Sequence, residues 1–243
     1  MPDASSGVKA SRILVTVPTR GHPCVWTVNS LQRLRSQNPG LPEIVYFESH
    51  LSVCHGRNAI VKTFLESKAD FLFMLDDDVV PCEDILGMAT HGVDVVASPV
   101  YINRTEANVP FPNVFIYDEP AGGHVPYPET FSQTGIVTHP LLAVGTGCIC
   151  IARHVLETVR PAFEHTWTED GLIKETEDLV FCRKARMAGY QVHADYSRPS
   201  EQMVVVAIRR LQERNAQAML EAQRRNEQAR RATEDPSHLW MPA

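Results

Sequence analysis

Short apolar segments alternate with longer amphipathic segments along the first hundred residues. A run of about five apolar residues is too short for a helix and indicates a strand, whereas apolar positions three or four apart indicate a helix. Strands separated in this way by helices are typical of parallel βαβ units. The pattern predicts strands over 12–17, 43–48, 71–75 and 93–97, and helices over 24–37, 55–67 and 82–91.

The chain changes character after residue 97. Residues 98–140 are rich in Pro, Asn, Gly and Thr, with a short strand-like piece at 114–117. An irregular stretch of this length inside a compact domain usually serves function, as a substrate-binding wall or a lid. Regular structure then returns: the pattern predicts strands over 141–152 and 190–194 and helices over 153–159 and 177–188, the last ended by Gly189.

Three parts of the chain follow from these patterns. Residues 1–11 are expected to be a flexible N-terminus, 12–202 one α/β domain, and 203–243 a basic helix and tail. Within 207–232 there are seven Arg and three Glu, and no Gly or Pro. A solvated helix that packs a few apolar residues is the simplest interpretation. An arm for homo-oligomerisation, or a contact with a polyanion such as DNA, is the alternative.

An acidic turn follows the third predicted strand. Asp76, Asp77 and Asp78 come directly after the apolar run at 71–75, which reads as a strand buried on both faces. In open α/β sheets the ligand crevice lies at the carboxyl ends of such strands. Three adjacent negative charges repel one another, and carboxylate oxygens favour hard cations such as Mg²⁺ or Mn²⁺. The turn therefore predicts a metal site that binds a phosphate group.

Two reaction classes fit this turn. A D-x-D pair, Asp76 and Asp78, suits transfer from a nucleotide-diphosphate sugar, where a cation bridges the diphosphate. The stretch Asp76–Val80 also satisfies the D-x-D-x-[T/V] pattern of haloacid-dehalogenase-type phosphatases. In that class the turn normally closes the first strand, whereas here roughly 75 residues of α/β pattern precede it. An acidic N-cap for the next helix is the purely structural alternative.

Further candidate residues follow other predicted strands or begin helices. Glu177 and Asp178 begin an amphipathic helix, where the helix dipole favours an ionised carboxylate that could act as a general base. The turn Gly145-Thr146-Gly147 would let backbone N–H groups approach a ligand closely. Pro18, Thr19 and Arg20 follow the first strand and Arg57 opens the second helix, and arginines there suit a diphosphate or a nucleobase.

Composition and charge narrow the class of protein. The chain has 243 residues with 44% hydrophobic and 21% charged residues, as is ordinary for a globular enzyme. The net charge of −6 gives no overall attraction to nucleic acid or membranes. No run has the length of a transmembrane span or a signal-peptide core, so a cytoplasmic location without a membrane span is expected. The six cysteines form no CxxC pair and are expected to be reduced and mostly buried.

Taken in order, these blocks resemble the GT-A fold glycosyltransferases, the inverting family-2 type in particular, and especially short stand-alone members found in bacteriophages. The resemblance rests on VTVPTRG, CHGRNAIVKTFL, DFLFMLDDDVVP, VGTGCICIARHVLE and TEDLVFCRKARMAGYQVHAD, and it covers 12 to about 195. It implies a GT-A (nucleotide-diphospho-sugar transferase) fold: α/β, with a mostly parallel central sheet flanked by helices and a C-terminal helical extension.

The resemblance also implies roles for the matching residues. The donor would be a nucleotide-diphosphate sugar, and Mn²⁺ or Mg²⁺ would neutralise charge on the leaving diphosphate. Asp178, beside Glu177, would be the general base, and Asp78 would bind the cation with Asp76, while Asp77 supports the turn. The residues expected around the nucleotide sugar are Pro18, Thr19, Arg20, Arg57, Asp76, Asp77, Gly145, Thr146 and Gly147.

One departure concerns the metal. Similar proteins often carry a Gly-His pair after the last strand, but here residues 194–202 contain no histidine. His193 and Glu201 are the candidates for the remaining ligand, and completion of the coordination by water is the alternative. The resemblance leaves the acceptor open between a hydroxymethylated DNA base, a phage protein and a cell-envelope glycan. A phage-encoded enzyme would act in the host cytoplasm. A GT-A-like domain that binds a sugar nucleotide without catalysis is a further alternative.

Overall fold

The computed structural model describes residues 12–41, 43–102, 111–127, 133–203 and 219–227. The chain divides into two units, Met1–Met203 and Val204–Ala243. Most of the predicted arginine-rich helix lies outside the described residues, and within 219–227 the backbone is helical and the side chains are exposed. Among the residues described, no helix combines the length and the apolar character that crossing a bilayer requires.

Four α-helices occur in the described part of the first unit. Helices were expected at all four places, and the structure confirms them there. The helix predicted over 82–91 is instead a short 3₁₀ helix, Ile85–Thr90. Its Gly87 lies against the Arg198 guanidinium, where a Cβ atom would come within 2.6 Å of Nη2. The α-helices are α1 Val25–Gln37, α2 Val53–Glu66, α3 Arg153–Thr158 and α4 Glu177–Met187.

Strands are numbered here in chain order. The segment predicted as one strand over 141–152 is two strands, because the turn at 145–147 interrupts it. The strands are β1 Ile13–Thr19, β2 Val45–Glu48, β3 Phe71–Leu75, β4 Val79–Val80, β5 Val95–Ala97, β6 Val100–Ile102, β7 Phe111–Pro112, β8 Val114–Asp118, β9 Gly123–Pro126, β10 Ile136–Thr138, β11 Leu142–Val144, β12 Cys148–Ala152, β13 Thr166–Trp167, β14 Ile173–Glu175, β15 Val192–Asp195 and β16 Ser200–Gln202.

The central sheet of the described residues has seven strands in the order β10-β15-β5-β12-β3-β1-β2. Strands β2, β1 and β3 are parallel, as the βαβ pattern predicts, and β15 is parallel to β5. Strand β12 runs antiparallel between β3 and β5, and β10 is antiparallel to β15. The fold is therefore α/β with a mixed sheet flanked by helices.

Strand β3 lies in the middle of this sheet and is buried on both faces. Leu72 and Met74 pack into one core with α2 and α4, whereas Phe73 and Leu75 pack into the other with α1. All four are fully buried. Successive strand residues point to opposite faces, so one apolar run supplies both cores. This confirms the sequence interpretation of the run and places the acidic turn at the carboxyl end of a rigid strand.

Small sheets surround that end of β3. Strand β4 follows the aspartates and pairs antiparallel with β16, so that Val79 lies opposite Gln202. Strands β11, β8 and β9 form a second sheet, and β13 and β14 form a hairpin. These sheets come largely from the residues between β5 and α4, and they form walls around the acidic turn.

A buried carboxylate anchors the segment that leads into β16. The Asp195 side chain is fully buried and accepts hydrogen bonds from Arg198 Nη1 at 2.8 Å and from the Ser197 backbone at 3.0 Å. His91 Nε2 lies 2.8 Å from Asp195 Oδ2. Burial on its own would raise the pKa of Asp195, but the hydrogen bonds from Ser197, Arg198 and His91 outweigh it and hold the pKa below its usual value.

We therefore expect Asp195→Asn to lower the free energy of unfolding at pH 7 by about 3 kcal/mol, because it leaves buried basic groups without their anion. A folded-state pKa below the unfolded value of about 4 stabilises the fold above that pH, and this contribution is lost as the pH falls through the folded-state pKa. Urea unfolding should show that the stability of the wild type falls as the pH is lowered through this range. The stability of the variant should fall less.

Asp84→Asn is the matched control. Asp84 binds the same Arg198 but is 77% exposed, so its removal should cost less than about 1 kcal/mol. Equal stability and equal pH dependence of wild type and Asp195→Asn would refute the anchoring role.

Candidate active site

The acidic turn is held against the glycine turn that precedes β12. The backbone N–H of Asp76 donates to the Gly147 carbonyl at 2.8 Å, and the Asp76 carbonyl accepts from Val79 N–H at 3.1 Å. A Cβ atom on Gly145 would come within 2.2 Å of the Asn113 side-chain nitrogen, so this position requires glycine. The two turns predicted separately from sequence therefore form one surface.

The three aspartates have different partners. Asp76 accepts two hydrogen bonds from Arg57 Nη2, at 2.9 and 3.1 Å. Asp77 accepts a hydrogen bond from Thr19 Oγ1 at 2.6 Å, which connects the acidic turn to the end of β1. Asp78 accepts a hydrogen bond from Gln202 Nε2 at 2.9 Å. Among the described residues, the Arg57 guanidinium thus neutralises one aspartate, while the other two bind neutral groups.

The electrostatic environment of Asp78 favours a bound cation. Burial raises the pKa of the Asp78 carboxyl above its usual value, and the charges of Asp76 and Asp77 add to the rise, while the hydrogen bond from Gln202 opposes it. A divalent cation at these oxygens would offset the repulsion between the carboxylates.

Arg57 connects the acidic turn to α4. Its guanidinium donates from Nη2 to Asp76 and from Nη1 to Glu177, the first residue of α4, and its side chain is only 6% exposed. It also lies 5.9 Å from the centre of the Phe163 ring. Burial alone would lower the pKa of Arg57, but Asp76 and Glu177 outweigh it and hold the pKa above its usual value. Arg57 is therefore a buried, permanently charged bridge.

Two clefts adjoin this bridge and share Arg57, Asp76 and Gln202. The β1-side cleft has a volume of about 300 Å³ and is lined by Pro18, Thr19, Arg20, Phe47, Ser49, Leu51, Ser52, Val53, Gly56, Arg57, Asp76, Asp77, Asp78 and Gln202. The α4-side cleft has a volume of about 460 Å³ and is lined by Arg57, Asp76, Val79, Val100, Ile102, Asn113, Phe115, His124, Gly145, Thr146, Gly147, Ile173, Lys174, Thr176, Glu177, Asp178, Leu179 and Gln202.

Most of the residues singled out from sequence come together here. Those expected around the nucleotide line the β1-side cleft, and the glycine turn and the Glu-Asp pair line the α4-side cleft. A larger depression of about 890 Å³ lies near the start of β1 and the end of α1. Its charged lining residues, Arg12, Lys68 and Asp84, do not include the acidic turn, so we place the candidate site in the two smaller clefts.

The two candidates for the remaining metal ligand do not line either cleft. His193 lies within β15, is 7% exposed, and its Nδ1 is 3.2 Å from the Val95 carbonyl. Glu201 is exposed in β16, and the side chains of a strand alternate between faces. The next residue, Gln202, therefore reaches Asp78. The alternation of side chains along the strand at 200–202 is the sequence signal that could have identified Gln202.

The adjacent acids Glu177 and Asp178 have different contacts. Glu177 is buried and binds Arg57, whereas Asp178 is more exposed and accepts hydrogen bonds from Thr176 Oγ1 and from the Leu179 backbone at 2.8 Å. Both line the α4-side cleft. Of these two acids, only Glu177 forms an ion pair among the described residues, and Asp178 does not.

His124 is a further lining residue that the sequence did not identify, because it lies in the irregular middle of the chain. It is part of β9, and its Nε2 is buried without a hydrogen-bond partner among the described residues. Burial lowers its pKa, which keeps the ring neutral at neutral pH. Thr146 Oγ1, in the glycine turn, is likewise buried and unpartnered there. Both atoms remain available to hydroxyl groups of a ligand.

No protein-family model and no curated protein matches the chain in sequence. Solved structures do resemble it. A197 from STIV aligns over 80% of this chain and 86% of its own length, with a TM-score of 0.52 and 21% identity. GalNAc-T7, solved with UDP, GalNAc and Mn²⁺, aligns over 81% of this chain and 44% of its own, with a TM-score of 0.53 and 10% identity.

TarS residues 1–349 from S. aureus align over 79% of this chain and 60% of their own length, with a TM-score of 0.50 and 13% identity. At these identities the likeness establishes the fold alone. The chain has the GT-A fold, which confirms the predicted fold class.

The Arg57 bridge leads to a test of the site's architecture. We expect Arg57→Met to lower the free energy of unfolding by about 3 kcal/mol, because it leaves Asp76 and Glu177 partly buried without a counter-charge. Adding Glu177→Gln to this variant should restore part of the loss, since it removes one of the stranded charges. Chemical denaturation of the single and double variants measures both effects.

Arg12→Met serves as the control, because the Arg12–Asp70 pair is about half exposed and its loss should cost less than about 1 kcal/mol. If Arg57→Met is no more destabilising than Arg12→Met, Arg57 is not the bridge described here.

Proposed function

We propose that the protein is a metal-dependent glycosyltransferase that moves a sugar from a nucleotide-diphosphate sugar to an acceptor hydroxyl, with inversion. The observation that carries this proposal is the Arg57 bridge. It brings an acidic turn suited to a cation and a diphosphate next to a helix start that presents a carboxylate, with a cleft on each side. A donor site and an acceptor site that share one wall are what direct transfer between two substrates requires.

The β1-side cleft is the proposed donor site. Pro18, Thr19 and Arg20 would border the base and ribose at the end of β1, where open α/β sheets bind ligands. Asp76 and Asp78 line the same cleft, and Asp76 lies next to Gly147 of the glycine turn. A sugar attached to the diphosphate would then extend towards the α4-side cleft, where Thr146 Oγ1 offers an unused hydrogen-bonding group.

The residues present fit Mn²⁺ or Mg²⁺. Asp78 and Asp76 offer the carboxylate oxygens that hard divalent cations prefer. Gln202, rather than His193 or Glu201, lies beside Asp78, and its carboxamide oxygen is a ligand of the same hard class. When bound, such a cation would neutralise the charge that develops on the leaving diphosphate.

Asp178 is the proposed general base. Its carboxylate lines the α4-side cleft and is oriented by Thr176 Oγ1 and the Leu179 N–H. A carboxylate held in this way could accept the proton of an acceptor hydroxyl as the hydroxyl attacks the sugar from the face opposite the diphosphate. Glu177 acts indirectly, by holding Arg57 and thereby the position of α4.

The charges near the α4-side cleft favour a neutral acceptor such as a glycan or a protein hydroxyl over DNA. Residues 164–178 contain six acidic residues and one lysine. Three of the acids, Glu164, Glu175 and Glu177, pair with Lys184, Arg183 and Arg57, and the other three acids outnumber the lysine. Trp167, Leu172 and Ile173 are exposed on the same hairpin, and Ile173 lines the cleft. An acidic, partly apolar rim repels a polyanion and suits an uncharged ring with hydroxyl groups.

Contacts of Asp76 disfavour the phosphatase alternative. A phosphatase of the haloacid-dehalogenase type would use Asp76 as its nucleophile, but both Asp76 oxygens accept hydrogen bonds from Arg57. A carboxylate bound in this way is a weaker nucleophile, because its negative charge is already stabilised by the guanidinium.

The proposal predicts different losses for two carboxylates. Asp78→Asn should abolish the Mn²⁺-dependent rise in melting temperature on addition of a nucleotide-diphosphate sugar, since bound ligand stabilises the fold by mass action. Asp178→Asn should keep that rise but lower the rate of sugar transfer or donor hydrolysis by about 100-fold to 10,000-fold, because it removes only the base. A panel of nucleotide sugars identifies the donor for both measurements.

Glu201→Gln is the control, because this exposed carboxylate neighbours Gln202 in sequence but lines neither cleft; it should behave as wild type. Metal-dependent turnover at the wild-type rate in Asp78→Asn would overturn the site assignment. Donor binding by the wild type without turnover on any acceptor, or as hydrolysis, would instead identify a binding domain without catalysis.

A further inference from the structure

Three potential metal ligands of different chemical types meet behind the Arg57 bridge. Cys54 comes from the first turn of α2, His165 directly precedes β13, and Glu177 begins α4. The Cys54 Sγ, a ring nitrogen of His165 and a carboxylate oxygen of Glu177 all lie within 4.8 Å of one another. Segments far apart in the sequence thus meet at one point, which is distinct from the acidic turn.

The histidine in this cluster has an unused nitrogen. His165 Nδ1 is buried and has no hydrogen-bond partner among the described residues. It lies 3.6 Å from Glu177 Oε2, which is too long for a good hydrogen bond. A buried ring nitrogen without a partner is unfavourable, and a bound ligand would remove that penalty.

The glutamate is positioned to use one oxygen for each neighbour. Glu177 Oε1 accepts the hydrogen bond from Arg57 Nη1, whereas Oε2 faces His165. Arg57 thereby fixes the orientation of the carboxylate, as hydrogen-bonded neighbours of metal ligands commonly do. The remaining oxygen, the ring nitrogen and the thiol are the groups left to bind a common ion.

We propose that Cys54, His165 and Glu177 form a binding site for Zn²⁺ or a similar borderline-soft divalent cation, separate from the hard-metal site at Asp78. Thiolate, imidazole and carboxylate are the protein ligands of zinc, and three of them with one open position make a complete protein ligand set. The cysteine thiol gives up its proton to solvent when the ion binds.

Charge balance supports an ion in this position. Without an ion, Arg57 is shared between two carboxylates, Asp76 and Glu177. A divalent cation with the Cys54 thiolate adds one net positive charge, which balances the extra carboxylate. The neighbouring guanidinium is therefore no obstacle to cation binding.

The site would stiffen the bridge. Cys54 and Arg57 lie three residues apart on α2, so they are neighbours on one helix face. An ion held by Cys54, His165 and Glu177 would tie α2, the segment before β13 and α4 together behind Arg57. The proposal does not depend on the reaction catalysed in the clefts, because two of its three ligands, Cys54 and His165, line neither cleft.

The test is a titration of the full-length protein, freed of metal with a chelator, with Co²⁺ and then Zn²⁺. Co²⁺ bound to a thiolate gives a sulfur-to-metal charge-transfer absorption, so the wild type should develop this band to one equivalent and lose it when Zn²⁺ displaces Co²⁺. Cys54→Ser should remove the band, and His165→Gln should weaken Zn²⁺ binding at least about 10-fold.

Three control variants locate the ion. Cys24→Ser and Cys82→Ser change the other partly exposed cysteines and should keep the band. Asp78→Asn should also keep it, which separates this site from the proposed donor metal, and thermal melting without metal checks that each variant folds. Absence of the band in the folded wild type, its persistence in Cys54→Ser, or its loss in Cys24→Ser or Cys82→Ser would overturn the proposal.

Discussion

The site depends on one buried arginine. Arg57 joins Asp76, at the end of the central strand β3, to Glu177, at the start of α4 and 120 residues after Arg57 in sequence. Burying three charges is costly, and removing any one of them leaves the others without compensation. The packing of Arg57 against Phe163 and the two cores around β3 supplies the apolar surroundings in which this triad persists.

Because the bridge is shared, the two clefts are not independent. The β1-side cleft and the α4-side cleft have Arg57, Asp76 and Gln202 in common. Arg57 contacts Asp76 through Nη2 and Glu177 through Nη1, so one guanidinium connects the wall of the β1-side cleft to the helix that carries Asp178. On the other side of Glu177 lie His165 and Cys54. Polar side chains thus extend from Asp78 through Asp76, Arg57 and Glu177 to Cys54, apart from the second buried polar cluster around Asp195.

Local patterns in the sequence predicted the parts of this site that depend on local structure. The apolar run before Asp76 identified β3 as a doubly buried strand, and the glycine turn and the Glu-Asp helix start were visible as short motifs. Contacts between distant segments were not visible. Sequence placed Arg57 near the nucleotide but could not show that it pairs with Glu177. The residues alone did not distinguish Glu177 from Asp178, and only the family resemblance named Asp178 as the base. Strand β12 lies antiparallel between β3 and β5 through long-range pairing, which no local pattern encodes.

The residues that sequence proposed as a further metal ligand show the same limit of local patterns. Side chains alternate along a strand, so a shift of one residue exchanges the two faces. His193 is on a strand whose neighbours bury it, and Glu201 is exposed, while Gln202 contacts Asp78. Of the two residues on β16, the pairing with β4 decides that Gln202 rather than Glu201 faces the acidic turn.

The proposed function requires the acidic turn to bind a hard divalent cation together with a nucleoside diphosphate. Anomalous scattering from a crystal soaked with Mn²⁺ and a nucleoside diphosphate tests this requirement. We expect a manganese peak at coordination distance from the Asp78 carboxylate, on the side of the β1-side cleft, with the diphosphate bound to the same ion. A well-ordered nucleotide without manganese at Asp78, or manganese bound only elsewhere, would contradict it.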